Sequence, residues 1–431
     1  MNIQIQNADV LLFDRGEKPF LRRCDLFVGE GRIAGIGEAP AGFQADRVLD
    51  GTHRLAIPGL INCHTHAYMT LMRNVADDLS FDEWLFGNIS PIEDKLISED
   101  GYWGSLLGCM EMLRSGTTCF LDMHMFPGQG VRAARESGMR AAISRGLVGS
   151  GDDEGGSRRL REALGEMEEA QGDSRLTFLL APHAIYTCDE AYLRRVTDAA
   201  KEHGLRLHIH VSESRNEIEN AKKQYGASPV EYLARIGLFD VPTVAAHCVH
   251  LSERDMDILA EKNVNVATNP VSNCKLANGF APIPALLARG VNVCIGTDGA
   301  ASNNTLNLFR EMGFVSLVHK GVTGDPLAVG AADTLRMATL AGARALGLEE
   351  RIGSIEVGKR ADIVLLDTDC PQFSPRNNLI SALAYSVNGS EVDTVLVDGE
   401  IVLEHRAFPG IDEERVRYEV NRITEKFGKQ E

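Results

Sequence analysis

The sequence lacks the features that mark a membrane protein or a nucleic-acid-binding protein. None of its apolar runs approaches the roughly 18 residues that a membrane-spanning helix needs. Basic residues are too few to balance the acidic ones, since 44 Lys and Arg stand against 61 Asp and Glu for a formal net charge of −17. A surface this acidic repels phosphate backbones and anionic lipid headgroups. We therefore expect neither a nucleic acid nor a membrane as a partner.

Cysteine patterns that would form disulfides or a thiolate metal site are also missing. The nine cysteines are scattered, odd in number and never spaced as C-x-x-C, and most lie in apolar runs. That distribution is typical of small, reduced core residues. The first residues, MNIQIQNADVLLFDRGEK, lack the basic segment, apolar core and small-residue cleavage site of a signal peptide. We expect a cytoplasmic protein.

Both ends of the chain are rich in predicted strands, whereas the middle alternates strands with helices. A two-residue hairpin signal, Asp398-Gly399, lies between apolar runs near the C-terminus. Eight candidate strands lie in the middle, at 55–62, 117–121, 140–144, 176–181, 205–209, 243–246, 263–268 and 291–297. Eight strand–helix repeats close into a barrel. The predicted fold is α/β, with a (β/α)8 TIM barrel at 57–355 and a small β-sandwich domain built from both termini, at 1–56 and 356–431.

Polar residues follow nearly every predicted barrel strand. In such barrels the active site lies at the carboxyl ends of the strands, so these residues are the candidates for chemistry. They are His64, His66, Arg145, His183, His210, Glu213, His247, Asn269 and Asp298. Histidine supplies only 12 of the 431 residues, so chance does not explain this crowding.

His64 and His66 are two positions apart, which on a strand turns both imidazoles to the same side. An H-x-H pair alone is a weak signal, because local hydrogen bonds satisfy two histidines equally well. His210 and Asp298 would complete a set of three nitrogens and one carboxylate oxygen, which suits Zn²⁺ and leaves a position for water. His208, one layer deeper on the same strand, is interpreted as packing behind the ligands.

These motifs resemble those of the amidohydrolase superfamily. The matching segments are IPGLINCHTH at 57–66, HIHVSE at 208–213, GTDG at 296–299 and GSIEVGKRADIV at 353–364. The resemblance covers essentially the whole chain and implies the same fold and the same metal ligands. Many members bridge two metals with a carboxylated lysine at the end of strand four, but TFLLAPH at 177–183 contains no lysine. We therefore expect one divalent metal per chain, with Zn²⁺ preferred over Fe²⁺ or Mn²⁺, as in the mononuclear deaminase and chlorohydrolase branch.

Within that branch the sequence is similar to the 5′-methylthioadenosine/S-adenosylhomocysteine deaminases. The shared segments are WL at 84–85, PIE at 91–93, Arg145, HAIY at 183–186, SES at 212–214 and NPVSNCKL at 269–276. In that family the residues that match Glu93, Arg145, His183 and Glu213 contact the substrate. Cys274 departs mildly from the family, in which a larger apolar residue is common.

Each substrate-contact assignment has a plain structural alternative. Without the resemblance, Glu93 would be an exposed acid at a helix N-terminus, and Arg145 would be a surface ion pair or a strand-end cap. Trp84 could be a core anchor, although a ring in the long segment after the first barrel strand is also well placed to cover an adenine.

The reaction that the resemblance implies is hydrolytic deamination of an adenine nucleoside to its inosine analogue and ammonia. The expected substrates are 5′-methylthioadenosine and S-adenosylhomocysteine, with adenosine as a further candidate. Asp298 would bind the metal and take a proton from the attacking water, and Glu213 would carry protons to N1 and to the departing amine. His247 would orient the attacking group and stabilise the tetrahedral intermediate. Glu93 would bind the ribose hydroxyls, with Arg145 and His183 completing the nucleoside site.

Other functions stay open on the sequence alone. A guanine, 8-oxoguanine or cytosine deaminase would use the same metal and proton shuttle but would not need a sugar-binding acid at Glu93. A triazine-type chlorohydrolase would expel chloride instead of ammonia, and a non-catalytic scaffold protein of this superfamily would be expected to lose ligands. The H-x-E and P-C-x-x-C motifs of the other zinc deaminases are absent, which argues against an enzyme that acts on flipped bases. Assembly into a homo-oligomer stays open.

Overall fold

The computed structural model describes residues 1–151 and 153–427. Its strands are β1 Ile3–Phe13, β2 Pro19–Gly29, β3 Arg32–Ile36, β4 Arg47–Asp50, β5 Arg54–Pro58, β6 Leu60–Thr65, β7 Thr117–His124, β8 Arg140–Leu147, β9 Leu176–Pro182, β10 Arg206–Val211, β11 Thr243–His247, β12 Asn265–Thr268, β13 Val293–Ile295, β14 Ile363–Asp367, β15 Val392–Val397 and β16 Glu400–Leu403.

Helices separate most of the strands. The α-helices are α1 Ser90–Glu93, α2 Ser98–Arg114, α3 Pro127–Ser137, α4 Glu154–Glu169, α5 Glu190–His203, α6 Arg215–Tyr225, α7 Pro229–Arg235, α8 Glu253–Glu261, α9 Pro270–Lys275, α10 Ile283–Ala288, α11 Ala300–Asn303, α12 Leu308–Thr323, α13 Ala331–Ala338, α14 Leu340–Leu346, α15 Leu379–Tyr385 and α16 Glu413–Thr424. A π-helix covers Glu83–Ile89, and short 3₁₀ helices cover Ala67–Met72, Leu238–Asp240, Pro371–Phe373 and Glu425–Phe427. Within the described ranges, none of these helices is long and apolar enough to span a membrane.

Strands β6 to β13 form a parallel barrel in the order of the sequence. Every residue of β6, β7, β11, β12 and β13 is buried, as expected for parallel strands that are covered on both faces. The backbone N–H groups of Thr297 and Asp298 donate to the His64 carbonyl at 3.1 and 3.0 Å and so join the last strand to the first. The predicted (β/α)8 barrel is confirmed.

The first predicted barrel strand, 55–62, is in fact two strands in two different sheets. β5 pairs with β14 and β1, whereas β6 pairs with β7 of the barrel. Gly59 separates them, and a Cβ atom there would lie 2.0 Å from Thr118 Oγ1, so only glycine permits this close approach. The apolar run is continuous across Gly59, so its hydrophobic pattern does not indicate that one strand ends and another begins there.

The remaining strands form a second sheet from both ends of the chain. Its order is β16-β15-β14-β5-β1-β2-β3, and β4 also pairs with β1. The predicted Asp398-Gly399 turn joins β15 to β16, with positive φ at both residues as a type I′ hairpin requires. The small β domain built from both termini is confirmed. Its exact limits, 1–56 and 356–431, stay a prediction, and residues 428–431 lie outside the described residues.

The cysteines are free thiols, as predicted. Among the described residues all nine are unpaired, and six of them are buried. Cys63, Cys119 and Cys294 share one apolar cluster with residues of α14. Burial raises the pKa of Cys119 to about 12, so this thiol stays protonated at neutral pH.

A buried ion-pair network joins the barrel to the second sheet. Arg140 of β8 is 1 % exposed, and its Nε lies 2.8 Å from Asp362 Oδ2. Its Nη2 lies 2.9 Å from Asp398 Oδ1, in the turn between β15 and β16. The arginine therefore holds segments from three parts of the chain. Asp362 depends on it for charge compensation, whereas Asp398 also pairs with Arg360 at 3.4 Å and Arg175 at 3.7 Å.

Replacing Arg140 with alanine is expected to lower the free energy of unfolding by about 3–5 kcal/mol, because it leaves the buried carboxylate of Asp362 without a cation. Denaturant unfolding measures this change. The matched control is Arg254→Ala, which removes an exposed pair with Glu261 and should cost less than about 1 kcal/mol. Equal losses in the two variants would contradict a structural role for the buried network.

Candidate metal centre and active site

A cavity of about 510 Å³ opens at the carboxyl ends of the barrel strands. The structure brings every predicted site residue to this cavity except His64 and Asn269, neither of which has exposed surface. Those that line the cavity are His66, Trp84, Glu93, Arg145, His183, His210, Glu213, His247 and Asp298. The remaining lining is largely apolar and includes residues of the π-helix.

Two of the predicted ligand histidines are held in a defined tautomer. His66 Nδ1 lies 2.8 Å from the carbonyl oxygen of Met123, and His210 Nδ1 lies 2.8 Å from the carbonyl oxygen of His183. Because a carbonyl only accepts, both Nδ1 atoms carry a proton, and Nε2 is the atom that has the lone pair when the ring is neutral. A neutral imidazole anchored in this way is suited to metal ligation.

His64 is anchored by another histidine. Its Nδ1 lies 2.9 Å from His208 Nε2, so His208 packs behind the site as the sequence indicated. Burial lowers the pKa of His64 to about 3 and keeps the ring neutral. Its Nε2 is buried without a hydrogen-bond partner, which is costly unless a ligand supplies one.

Asp298 supplies the carboxylate of the predicted metal set. Its Oδ1 lies 3.4 Å from His64 Nε2 and 3.5 Å from His66 Nε2. Two ligand atoms at about 2.0–2.1 Å from a tetrahedral zinc are separated by about 3.4 Å. One ligand atom from each of these three residues lies within 4.8 Å of the others. The histidine and aspartate group therefore fits a mononuclear metal site.

His247 lies closer to the predicted ligands than the sequence indicated. Ligand atoms of His64, His210 and His247 also lie within 4.8 Å of one another, so His64 belongs to both groups. The Nδ1 atom of His247 is 2.8 Å from Asn273 Oδ1, which leaves Nε2 free. The sequence predicts that His247 orients the attacking group and does not bind the metal, and this role stays a prediction.

The carboxyl ends of three barrel strands contain strained backbone. Ser212, His247, Cys248 and Asp298 all have positive φ, between 50° and 71°. Residues with a Cβ atom adopt this left-handed conformation at a cost of about 1–3 kcal/mol, which the surrounding structure must offset. Two of these residues, His247 and Asp298, are ones to which the sequence assigns a chemical role.

Glu213 is a buried carboxyl group beside His247. Its Oε1 lies 3.7 Å from His247 Nδ1 and accepts a hydrogen bond from Asn278 Nδ2 at 3.2 Å. Burial, together with the nearby charge of Asp298, holds the pKa of Glu213 well above its usual range. A raised pKa favours the protonated form of the carboxyl group, which is able to act as an acid.

Sequence reasoning missed the residue that holds the backbone at Glu213. Glu217 Oε2 accepts a hydrogen bond from the Glu213 N–H at 2.8 Å, and its Oε1 accepts one from the Ser212 N–H at 3.1 Å. Burial raises the pKa of Glu217 to about 7. The S-x-x-E pattern at 214–217 could have indicated a helix start. It does not predict that Glu217 accepts hydrogen bonds from the backbone at the end of the preceding strand.

Glu93 differs from the exposed helix N-terminal acid that was its structural alternative. It is the last residue of α1, is half-buried and lines the cavity. Tyr68 OH donates a hydrogen bond to its Oε1 at 2.5 Å, a contact that the sequence did not indicate. Burial raises the pKa of Glu93, and the Tyr68 hydrogen bond opposes that rise. Its Oε2 takes no part in this bond.

Three residues of the cavity lining also have structural roles or are strongly buried: Trp84, Arg145 and His183. Trp84 is 6 % exposed, and its Nε1 donates to the Ala301 carbonyl at 3.3 Å, so it is a core anchor as well as part of the wall. Arg145 forms an ion pair with Glu162 at 3.0 Å, but its Nε is buried without a partner. Burial lowers the pKa of His183 to about 4.

Known proteins resemble this chain over nearly its full length. Residues 55–402 match the amidohydrolase family. A 5-methylthioadenosine/S-adenosylhomocysteine deaminase from Thermoanaerobacter pseudethanolicus is 47 % identical over 424 residues, which cover 98 % of each chain. A zinc-bound crystal structure of an adenosine deaminase from Xanthomonas campestris superposes with a TM-score of 0.93 at 33 % identity and 98 % coverage of both chains.

A more distant structure shares the fold alone. A zinc complex of atrazine chlorohydrolase from Arthrobacter aurescens has a TM-score of 0.91 at 22 % identity, with 98 % of this chain and 100 % of that chain covered. Together, the parallel barrel and the histidine and aspartate group at its strand ends define the class of metal-dependent barrel hydrolases. The chain belongs to the amidohydrolase family and, within it, to the family of the 5-methylthioadenosine/S-adenosylhomocysteine deaminases.

Proposed function

We propose that the protein hydrolytically deaminates adenine nucleosides, with 5′-methylthioadenosine and S-adenosylhomocysteine as substrates and adenosine as a further candidate. The observation that best supports this proposal is that two acidic side chains, Glu213 and Glu93, line the same cavity. Glu213 is buried beside His247, where an acid is able to reach a purine ring, and Glu93 lies at the same cavity, where it is able to bind a sugar. The curated relatives with 43–48 % identity and this activity in their names support it.

His64, His66, His210 and Asp298 would hold one divalent metal, with Zn²⁺ preferred over Fe²⁺ or Mn²⁺. When bound, such a metal lowers the pKa of water and so supplies a nucleophile at neutral pH. The zinc in the Xanthomonas relative supports this choice. The missing lysine in 177–183 supports a single ion.

The protein's own side chains would manage the protons of the reaction. As water adds to C6 of the purine, Asp298 takes one proton from the water and Glu213 gives its proton to N1. The C6 hydroxyl proton then passes to Glu213, which delivers it to the departing amine, so that the C–N bond breaks and ammonia leaves. The proton on Asp298 then restores Glu213. His247 would hydrogen-bond to the oxygen on C6 and stabilise the tetrahedral intermediate.

Glu93, Arg145, His183 and Trp84 would bind the nucleoside. We assign the ribose hydroxyls to Glu93, whose Oε1 already accepts from Tyr68 and whose Oε2 is left for the sugar. Arg145 has an unpartnered Nε with which to donate. His183 and Trp84 would complete the wall of the site.

A substrate panel tests the proposed function. Purified protein with Zn²⁺ is incubated separately with 5′-methylthioadenosine, S-adenosylhomocysteine, adenosine, guanine, 8-oxoguanine, cytosine and a chlorotriazine, and ammonia and chloride are measured. We expect ammonia from the adenine nucleosides alone. Faster turnover of a free base, or chloride release from the triazine, would contradict the proposal.

Replacing Glu93 with alanine is expected to cost roughly 1.5–3 kcal/mol of transition-state binding with 5′-methylthioadenosine, the range for hydrogen bonds to a charged group. The loss should be much smaller with a 2′,3′-dideoxy analogue, which has no hydroxyls for the acid to bind. The ratio of kcat/KM values for the two substrates measures the difference.

The matched control for this variant is Glu83→Ala. Glu83 is an exposed acid in the neighbouring π-helix that does not line the cavity, and it should leave both kcat/KM values unchanged. Equal losses on both substrates in Glu93→Ala would mean that Glu93 supports the surrounding helices and does not bind the sugar.

A further inference from the structure

The second oxygen of Asp298 is held by two serine hydroxyls. Ser272 Oγ donates to Asp298 Oδ2 at 2.6 Å, and Ser302 Oγ donates to the same oxygen at 2.8 Å. The first oxygen, Oδ1, is the one that lies near the Nε2 atoms of His64 and His66. Together with the Gly299 N–H, which donates to Oδ1 at 2.8 Å, the two hydroxyls therefore determine which oxygen of Asp298 is directed towards the histidines.

The two serines lie on separate short helices, Ser272 on α9 and Ser302 on α11. A four-residue helix and a six-residue helix have little stability of their own, so their positions depend on contacts with the rest of the protein. The positions of the two hydroxyls relative to Asp298 therefore depend on the contacts that hold α9 and α11 together.

Glu311 of α12 joins them. It has no exposed surface, and its Oε1 accepts a hydrogen bond from Asn303 Nδ2, in α11, at 2.6 Å. Its Oε2 accepts one from the Val271 backbone N–H, in α9, at 3.1 Å. Asn303 Nδ2 also donates to the carbonyl of Thr297, the residue before Asp298, at 2.6 Å. One carboxyl group thus connects both helices and the end of the last barrel strand.

We infer that Glu311 is a positioning residue for the metal site. By tying α9 to α11 it keeps the Ser272 and Ser302 hydroxyls on Oδ2 of Asp298 and leaves Oδ1 for the metal. Glu311 lies outside the cavity lining and does not reach the substrate. The inference rests on the part of the proposed function that makes Asp298 a metal ligand.

The test is the zinc affinity of Glu311→Gln. A glutamine side chain has one acceptor and one donor, so one of the two N–H donors loses its partner whichever way the amide is turned. Metal-free protein is titrated with Zn²⁺ in competition with a chromogenic chelator. We expect the dissociation constant to rise about 10- to 100-fold, the usual range for residues that support metal ligands. At saturating Zn²⁺, KM for 5′-methylthioadenosine should stay unchanged while kcat falls.

Glu391→Gln is the matched control. Glu391 is also buried, and its Oε2 accepts from the backbone N–H groups of Asn388 and Gly389 at 3.2 and 3.0 Å, next to β15 of the second sheet. Because Glu391 Oε1 has no hydrogen-bond partner, glutamine is able to keep its oxygen on both N–H groups, and this variant should keep the zinc affinity of the wild type. Unchanged zinc affinity in Glu311→Gln, or an equal loss in Glu391→Gln, would overturn the inference.

A second variant covers the case in which Glu311→Gln does not fold. Ser302→Ala removes one hydroxyl from Oδ2 of Asp298 and should weaken zinc binding in the same direction, whereas unchanged affinity would overturn the inference. If both single variants fold, the double variant should lose less free energy of zinc binding than the sum of the two single losses, because both changes act on Oδ2 of Asp298. Because the zinc titration uses no substrate, weaker zinc binding supports the inference even in a protein that fails to deaminate nucleosides.

Discussion

Replacing Glu213 with glutamine is expected to lower kcat on 5′-methylthioadenosine by at least about 10², while the zinc content stays that of the wild type. Glutamine keeps the shape and the hydrogen-bonding length of the side chain, but it cannot carry the proton to N1 or to the departing amine. Steady-state kinetics and metal analysis of the same preparation measure both quantities.

The matched control for this variant is Glu219→Gln, an exposed acid on the helix that follows, which should keep wild-type turnover. The pH profile gives a second check. The pKa of Glu213 is held above its usual range, so the acid form persists to a higher pH than in an ordinary carboxyl group, and the rate should fall as the pH rises through that raised pKa. Near-normal turnover in Glu213→Gln would reject the proton-shuttle role.

Replacing Asp298 with alanine should lower kcat by at least about 10³ and release the metal, because the site loses its carboxylate ligand and the group that takes the proton of water. Metal analysis should give one ion per wild-type chain and much less in the variant. The control is Asp257→Ala, an exposed acid of α8 that pairs with Arg289 and should change neither quantity. Two tightly bound ions per wild-type chain, or full metal content in Asp298→Ala, would contradict the mononuclear site.

The sequence predicted the barrel and its site because both follow periodic rules. Polar residues such as His210 and Asp298 directly follow apolar runs, and the carboxyl ends of barrel strands converge on one face. The spacing of His64 and His66 predicted a shared face, and the structure places their Nε2 atoms 3.4 and 3.5 Å from the same oxygen. These residues could be found without knowledge of the tertiary structure.

The residues that support the site gave no such signal, because their partners are distant in sequence or belong to the backbone. Glu311 is 40 residues from Val271, whose N–H donates to it, and Tyr68 is 25 residues from Glu93. The break at Gly59 depends on Thr118, which lies on the neighbouring strand. Such contacts are created by the fold, and no local periodicity predicts them.

The most direct test of the account is to run the reaction in ¹⁸O-labelled water with 5′-methylthioadenosine and zinc-loaded protein. We expect one ammonia for each molecule of substrate consumed, and a product nucleoside that carries one heavy oxygen on the purine and keeps its ribose and thioether. Mass spectrometry of the product and an ammonia assay measure these quantities together. Release of free adenine, loss of the thioether group, or product formation without ammonia and without the heavy oxygen would contradict hydrolytic deamination at C6.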